Sequence, residues 1–271
     1  MHPILFQVGQ VTFFTYGFTM MAILFLLYFL ASRQIDGVEI TEKRLGHISF
    51  MVVFSIWFGG AFWLLGRHLL GSVTGSGLEG GGGSGLPGLL DPQNLQTAET
   101  FPIVALFGFL LILYCRWQHL SFIRVLAFLL PYFILGYGLQ RLFGCFSAGC
   151  CYGTPTDVMW AVRFPDTLGV GPLPGLAVHP TQLYMAVGAL VAYGFMAFSP
   201  FRHRGPEAIL GMALVGLFGP YFLTTFFRGD VRPETTFYWG LSPRQIISLV
   251  GFMIGSGFLV RVWRRGACAE P

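Results

Sequence analysis

The chain has 271 residues, of which 54% are hydrophobic and only 10% are charged. A water-soluble domain carries about 25% charged residues, so this composition excludes a soluble globular fold and predicts a membrane protein. The formal net charge of +4 comes with neither a basic stripe nor a nucleic-acid-binding motif. We therefore expect a membrane and its lipids as partners and no nucleic acid.

Long apolar segments recur along the chain, each close to the roughly 20 residues that a helix needs to cross a bilayer. They predict an all-α, polytopic membrane protein with seven transmembrane helices, at about 11–31, 47–66, 101–115, 121–141, 180–199, 207–227 and 244–263. The first segment lacks a basic leader, so we interpret it as a retained helix rather than a signal peptide. The chain is predicted to form one membrane domain over 1–271, with a glycine-rich outer loop at about 67–100 that is either a linker or a mobile flap.

The basic residues predict the orientation of the chain, because loops on the cytoplasmic side are enriched in lysine and arginine. With seven spans, ten basic residues fall on one side: Arg33, Lys43, Arg44, Arg116, Arg124, Arg202, Arg204, Arg261, Arg264 and Arg265. Six fall on the other: Arg67, Arg141, Arg163, Arg228, Arg232 and Arg244. This bias predicts an outside N-terminus and a cytoplasmic C-terminus.

Three of the five cysteines lie in the segment RLFGCFSAGCCYG, residues 141–153, on the predicted outer side. They could be small apolar residues that pack a tight glycine turn, or Cys145 could form a disulfide with Cys150 or Cys151. A nucleophilic cysteine would need a nearby cation or base. Zinc binding has little support because the spacing is not CxxC and only His179 is a nearby histidine candidate. We predict no metal and no cofactor.

Two polar features interrupt the apolar pattern. Arg141 stands at the end of the fourth predicted span, where it either binds a lipid phosphate or extends its charge to the interface. In HPTQLY, residues 179–184, Pro180 suits the first turn of a helix. His179 then either caps that helix or joins Gln182 in a polar cluster facing a lipid headgroup.

Four motifs in chain order carry a family resemblance. They are TYGFTMM at 15–21, RLFGCFSAGCCYG at 141–153, HPTQLY at 179–184, and FFRGD at 226–230 followed by LSPRQIISL at 241–249. Together they resemble the prolipoprotein diacylglyceryl transferase family, seven-helix enzymes of the bacterial plasma membrane. The glycine-rich motif has the cysteine-bearing form of divergent members.

The resemblance implies a reaction and a set of site residues. Members of the family transfer diacylglycerol from phosphatidylglycerol to a cysteine thiol of a prolipoprotein, and glycerol phosphate leaves. Arg141 would hold the lipid phosphate. Apart from the resemblance, the groups on the predicted outer side that could accept the thiol proton are His179, Asp157, Asp166 and Asp230, and we expect His179 and Asp230 to do so. The remaining expected substrate-binding residues are Tyr16, Gly153, Arg163, Gln182, Tyr184 and Arg228.

The chain also departs from the family pattern. A His- or Tyr-Gly-Gly stretch is replaced by FPIVALFG at 101–108, Met185 stands where the family has glutamate, and PYFLTT at 220–225 lacks the usual arginine and glutamate. Two alternatives to a divergent transferase therefore stay open. One is an inactive lipid- or lipoprotein-binding protein of the same fold, and the other is a membrane thiol-redox protein that uses Cys145 with Cys150 or Cys151.

Overall fold

The computed structural model of the protein describes residues 4–8, 11–35, 40–56, 58, 100–165, 174–229, 241 and 243–267. These residues are mostly helical, as the sequence predicts. Within the described ranges, five helices are long and apolar enough to cross a membrane. The count of seven spans stays a prediction.

The described part of the chain starts with a pair of β-strands that the sequence analysis missed. Strand β1, Ile4–Val8, pairs antiparallel with β2, Val11–Phe14, and helix α1 then covers Thr15–Ser32. The predicted first span, 11–31, is therefore wrong at its start. The run VTFF consists of β-branched and aromatic residues, which favour a strand when a partner of similar composition such as ILFQV lies directly upstream.

Contacts divide the chain into two compact units, Met1–Arg33 with Leu126–Pro271, and Gln34–Val125. The second unit contains helix α2, residues 42–56, and helix α3, Thr100–Trp117. Inside it, the Nδ1 atom of His47 lies 3.1 Å from the Tyr114 hydroxyl. The predicted glycine-rich loop falls almost wholly on residues outside the described ranges, and the single membrane domain stays a prediction.

Helix α4 is a continuous apolar helix over Phe122–Ala148. It is α-helical from Phe122 to Leu139, π-helical over Gln140–Cys145, and ends in a short α-helical turn, Phe146–Ala148. The fourth predicted span, 121–141, therefore ends too early. Arg141 lies inside this helix rather than at its end, because the helix continues through the π-helical segment to Ala148.

The remaining elements follow a small hairpin, in which β3, Val162–Arg163, pairs antiparallel with β4, Ala177–Val178. Helix α5, Thr181–Phe198, is followed by a 3₁₀-helix over Pro200–Arg204, helix α6, Pro206–Thr225, and helix α7, Pro243–Ala267. These three α-helices match the last three predicted spans to within a few residues.

Small residues bring the helices of the first unit close together. A Cβ atom on Gly255 of α7 would lie 3.1 Å from the carbonyl oxygen of Gly211 in α6, and one on Gly251 would lie 2.4 Å from the Phe218 ring. The GxxxG spacing of Gly251 and Gly255 therefore permits close helix packing. A buried cluster continues this packing through α4, α5 and α6: Ile134, Ala189, Ala192, Met196, Met212 and Ala213.

Candidate functional site

The π-helical segment of α4 places Arg141 beside a cysteine of the same helix. The Phe146 N–H donates to the Arg141 carbonyl, five residues earlier, as a π-helix requires. The Nη1 atom of Arg141 lies 3.4 Å from Cys145 Sγ, and the Gln140 side-chain amide donates to the same sulfur at 3.3 Å. Single π-helical turns inside α-helices are often found at functional sites.

A tight turn after α4 brings two more thiols to Arg141. Gly149 has φ 75° and Cys151 has φ 59°, so both residues adopt left-handed conformations that fold the chain back on the helix. Arg141 Nη1 then donates to Cys151 Sγ at 2.9 Å. The sulfur atoms of Cys145, Cys150 and Cys151 all lie within 4.8 Å of one another. We call these three residues the thiol cluster; each carries a free thiol, so the proposed disulfide is not formed.

The thiols of the turn differ in acidity. Hydrogen bonds with the Cys145 and Cys150 thiols hold the pKa of Cys151 well below its ordinary value, and the charges of Arg141 and Arg228 act in the same direction although burial opposes them. Hydrogen bonds with Cys145 and Cys151, together with burial, raise the pKa of Cys150. Cys151 is therefore the more acidic of the two thiols that follow the helix.

Two polar atoms at this turn are buried without a hydrogen-bond partner among the described residues. One is Nε of Arg141, and the other is Oε1 of Gln182. The Arg141 guanidinium carbon stands 4.8 Å from the centre of the Tyr137 ring, and the Nη1 atom donates to sulfur atoms rather than to a carboxylate. The site therefore offers one free donor and one free acceptor in a largely apolar setting.

The start of α5 holds the turn in place. The Thr181 hydroxyl donates to the Cys151 carbonyl at 2.5 Å, and the Gln182 amide donates to the Cys150 carbonyl at 2.7 Å. Both side chains are completely buried. HPTQLY is thus an anchor for the thiol cluster, which explains why threonine and glutamine occur in the first turn of an otherwise apolar helix.

Backbone hydrogen bonds join this turn to two further segments. The Gly153 N–H donates to the His179 carbonyl at 2.9 Å, and the Thr154 N–H donates to the Phe227 carbonyl at 2.8 Å. The Gly229 N–H returns to the Tyr152 carbonyl at 3.0 Å. A Cβ atom on Gly153 would lie 2.5 Å from the His179 carbonyl oxygen, so only glycine fits where the three segments meet.

His179 does not cap α5, contrary to one of the two roles predicted for it. Pro180 is the N-cap residue, and no side chain caps the helix. The Nδ1 atom of His179 instead lies 3.1 Å from the Tyr184 hydroxyl, which accepts a hydrogen bond of 2.7 Å from the Trp160 indole. The Tyr184 ring lies one helical turn beyond His179, so its hydroxyl reaches back past the proline.

The other predicted site residues differ in their distance from the thiol cluster. Tyr16 of α1 packs near Gly144 and lies within electrostatic range of the cysteines and Arg141. Arg228 is buried, pairs with Gly153 in an isolated β-bridge, and acts on the charge of Cys151. Arg163 is exposed and donates to the Gly175 carbonyl at 2.7 Å, on the hairpin that leads to His179. Asp230 lies outside the described residues.

Sequence reasoning missed four residues that contact the site: Tyr137, Gln140, Trp160 and Thr181. Tyr137 precedes Arg141 by four residues, so the helical spacing alone could have indicated the ring–guanidinium contact. Trp160 offers no such signal, because it reaches Tyr184 through a loop whose path the sequence does not reveal.

Comparisons with known proteins agree with the motifs. The family model of prolipoprotein diacylglyceryl transferase matches residues 103–261. A phosphatidylglycerol–prolipoprotein diacylglyceryl transferase of Pseudoalteromonas atlantica is 29% identical over 99% of this chain and 91% of its own length. The protein of the same name from Geobacter sulfurreducens is 28% identical over 97% of this chain and 96% of its own. One from Marinomonas sp. is 33% identical over 58% of this chain and 55% of its own.

Proposed function

Because the chain belongs to the prolipoprotein diacylglyceryl transferase family, we propose that it transfers diacylglycerol from phosphatidylglycerol to a cysteine thiol of a prolipoprotein. In this reaction the acceptor sulfur forms a bond to the diacylglyceryl carbon. The bond from that carbon to the phosphate oxygen breaks, and glycerol phosphate leaves with the electron pair. The relatives that match nearly the whole chain carry names for this activity.

The observation that carries the proposal is the incompletely bonded guanidinium of Arg141, whose Nε atom is buried. A charged side chain without an anionic partner inside a bilayer costs about 2.5–3.5 kcal/mol on insertion scales. The Nε atom of Arg141 has no partner among the described residues, while Nη1 is held by sulfur. A phosphate oxygen of the lipid would satisfy Nε and supply a compact anion, and a guanidinium binds phosphate with a defined orientation.

Gln182 complements the arginine. Its amide nitrogen donates to the Cys150 carbonyl, and this hydrogen bond fixes the orientation of the amide group. The Oε1 atom of the same amide has no donor in the described part of the chain. The headgroup of phosphatidylglycerol carries hydroxyl groups beside its phosphate. We assign one of them to Gln182 Oε1, so that the arginine and the glutamine read the anionic and the hydroxyl part of the same headgroup.

Proton transfer from the acceptor thiol is the remaining requirement. His179 and Asp230 are the proposed acceptors, as the sequence analysis expects. His179 is half-buried, and its Nδ1 is paired with Tyr184, so its Nε2 would be the atom that takes the proton. Tyr184 and Trp160 would hold the imidazole in position, and Tyr16, Gly153, Arg163 and Arg228 would shape the surrounding pocket.

Transfer in vesicles tests the function. The purified full-length protein is mixed with phosphatidylglycerol vesicles and a prolipoprotein-derived peptide with one cysteine, and the mass of the peptide product is measured by mass spectrometry. We expect the mass of one diacylglyceryl group on the cysteine peptide and none on the same peptide with serine. Binding of phosphatidylglycerol without any product would contradict the transferase and support the inactive lipid-binding protein.

The orientation of the chain is part of the same proposal. We place the protein in the bacterial plasma membrane with the N-terminus outside and the C-terminus in the cytoplasm, on the basis of the basic residues. A C-terminal alkaline phosphatase fusion should then be inactive, since that reporter needs the outer compartment, and a C-terminal fluorescent protein should be bright. Activity of the phosphatase fusion would reverse the orientation.

A further inference from the structure

The thiol cluster has no role in the mechanism above, yet it adjoins the proposed phosphate site. We propose that Cys145, Cys150 and Cys151 bind a zinc ion whose fourth position takes the acceptor thiol as a thiolate. This inference rests on the proposed function, because the thiol to be activated is that of the prolipoprotein. It gives the cluster a role in the reaction. It also provides a way to deprotonate the acceptor thiol in a chain with few carboxylates that could take the proton.

The sulfur geometry fits such an ion. Zinc–sulfur bonds of about 2.3 Å in a tetrahedron separate two sulfur atoms by about 3.8 Å. The three Sγ atoms already lie within 4.8 Å of one another, so contraction by about 1 Å or less brings them to ligand distance. The cysteines come from both sides of a turn with two left-handed residues, which is the feature that brings their sulfurs to one point.

The surroundings favour anionic sulfur. Arg141 donates to the sulfurs of Cys145 and Cys151, and Gln140 donates to that of Cys145. Outer hydrogen bonds of this kind orient metal ligands and tune their basicity. Three thiolates carry three negative charges, while a zinc ion with Arg141 and Arg228 nearby carries four positive ones. Before substrates bind, the site therefore carries one net positive charge, which favours the approach of an anionic substrate.

Three protein ligands are the number found in catalytic zinc sites, which keep the fourth position open for water or substrate. A thiol that binds zinc loses its proton outright, and the proton passes to solvent or to His179. The bound thiolate then attacks the diacylglyceryl carbon, and the electron pair of the broken carbon–oxygen bond leaves with glycerol phosphate. No electron is transferred to or from the metal, which suits redox-inert zinc better than copper or iron.

Metal content is the first test. The full-length protein is purified in detergent and dialysed against buffer with trace zinc. Elemental mass spectrometry should then find about one zinc ion per chain. Cys150→Ser and Cys151→Ser should each lower zinc affinity about tenfold or more. Cys115→Ser, a change at a buried cysteine outside the cluster, is the matched control and should retain the metal. A wild-type protein without zinc, with copper instead, or with two of the three thiols oxidised would overturn the inference.

Cobalt substitution tests the open position without any variant that could misfold. The Co²⁺ form of the wild-type protein should show sulfur-to-metal charge-transfer bands, and the cysteine peptide should shift its visible spectrum whereas the serine peptide should not. Absence of that shift would overturn the fourth-ligand assignment. A spectral shift without diacylglyceryl transfer would sustain the zinc site and refute the proposed function. Full transfer by protein freed of metal with a chelator would do the reverse.

Discussion

Replacing Gly153 by alanine should separate the three segments that build the site. The added Cβ atom would lie 2.4 Å from the His179 Cβ, 2.5 Å from the His179 carbonyl oxygen and 2.8 Å from the Phe227 carbonyl oxygen. Two of these atoms belong to the backbone, so no side-chain rotation relieves the overlap. The segments must move apart, and the hydrogen bonds of Gly153 and Thr154, at 2.9 and 2.8 Å, lengthen or break.

The magnitude follows from these contacts. Two backbone hydrogen bonds contribute about 1 kcal/mol each, and overpacking a filled site costs about 1–3 kcal/mol. We therefore expect Gly153→Ala to lower the free energy of unfolding by about 2–3 kcal/mol as the segments separate and both hydrogen bonds weaken. Transfer activity should fall sharply, because Gly153 links the turn of the thiol cluster to His179.

The assay compares Gly153→Ala with Gly194→Ala in α5. A Cβ atom on Gly194 meets no other atom within 4 Å, and helical alanine is favoured over glycine by about 1 kcal/mol. Thermal unfolding in detergent and diacylglyceryl transfer in vesicles are measured for both variants. We expect Gly194→Ala to match or exceed the wild type in both. A Gly153→Ala protein with unchanged unfolding temperature and unchanged activity would refute the three-segment arrangement.

Two further predictions concern the Tyr184 hydroxyl and the packing of α7 against α6. Tyr184→Phe removes the hydroxyl that accepts from the Trp160 indole and pairs with His179. We expect the free energy of unfolding to fall by about 1 kcal/mol and the transfer reaction to slow. An unchanged transfer rate would show that the position of His179 does not depend on Tyr184. Gly255→Ala should destabilise the protein by about 1–3 kcal/mol, because the added Cβ atom would lie too close to α6. The control Gly257→Ala places its Cβ atom in open space and should not destabilise the protein. Equal unfolding temperatures of the two variants would contradict the close packing of α6 and α7.

The sequence predicted the membrane class and most helices because long apolar runs have few alternatives to a membrane helix. It failed at the first strand pair, since VTFF reads equally as the start of an apolar span. It also ended the fourth span too early, because the π-helical continuation Gln140–Cys145 has no pattern of its own. Both errors lie where a local run of residues is compatible with two backbone conformations.

The candidate site was predictable in part. Arg141 stood out as a charge in an apolar run, and Gly153 and Gln182 were selected through the motifs that contain them. The convergence of three sulfurs on one guanidinium was not predictable, because it depends on left-handed conformations at Gly149 and Cys151. A cysteine, unlike a glycine, does not indicate in the sequence that its backbone adopts a positive φ.

The binding of phosphatidylglycerol by Arg141 is the central claim, and one matched pair of variants tests it most directly. Arg141→Lys keeps the charge but loses Nε and the planar fork, while Arg204→Lys makes the same change at an exposed arginine that also stands 4.7 Å from an aromatic ring. Affinity for phosphatidylglycerol is measured by titration of detergent-solubilised protein. We predict a loss of about tenfold or more for Arg141→Lys and none for Arg204→Lys. Equal affinity of both variants and the wild type would contradict the phosphate site.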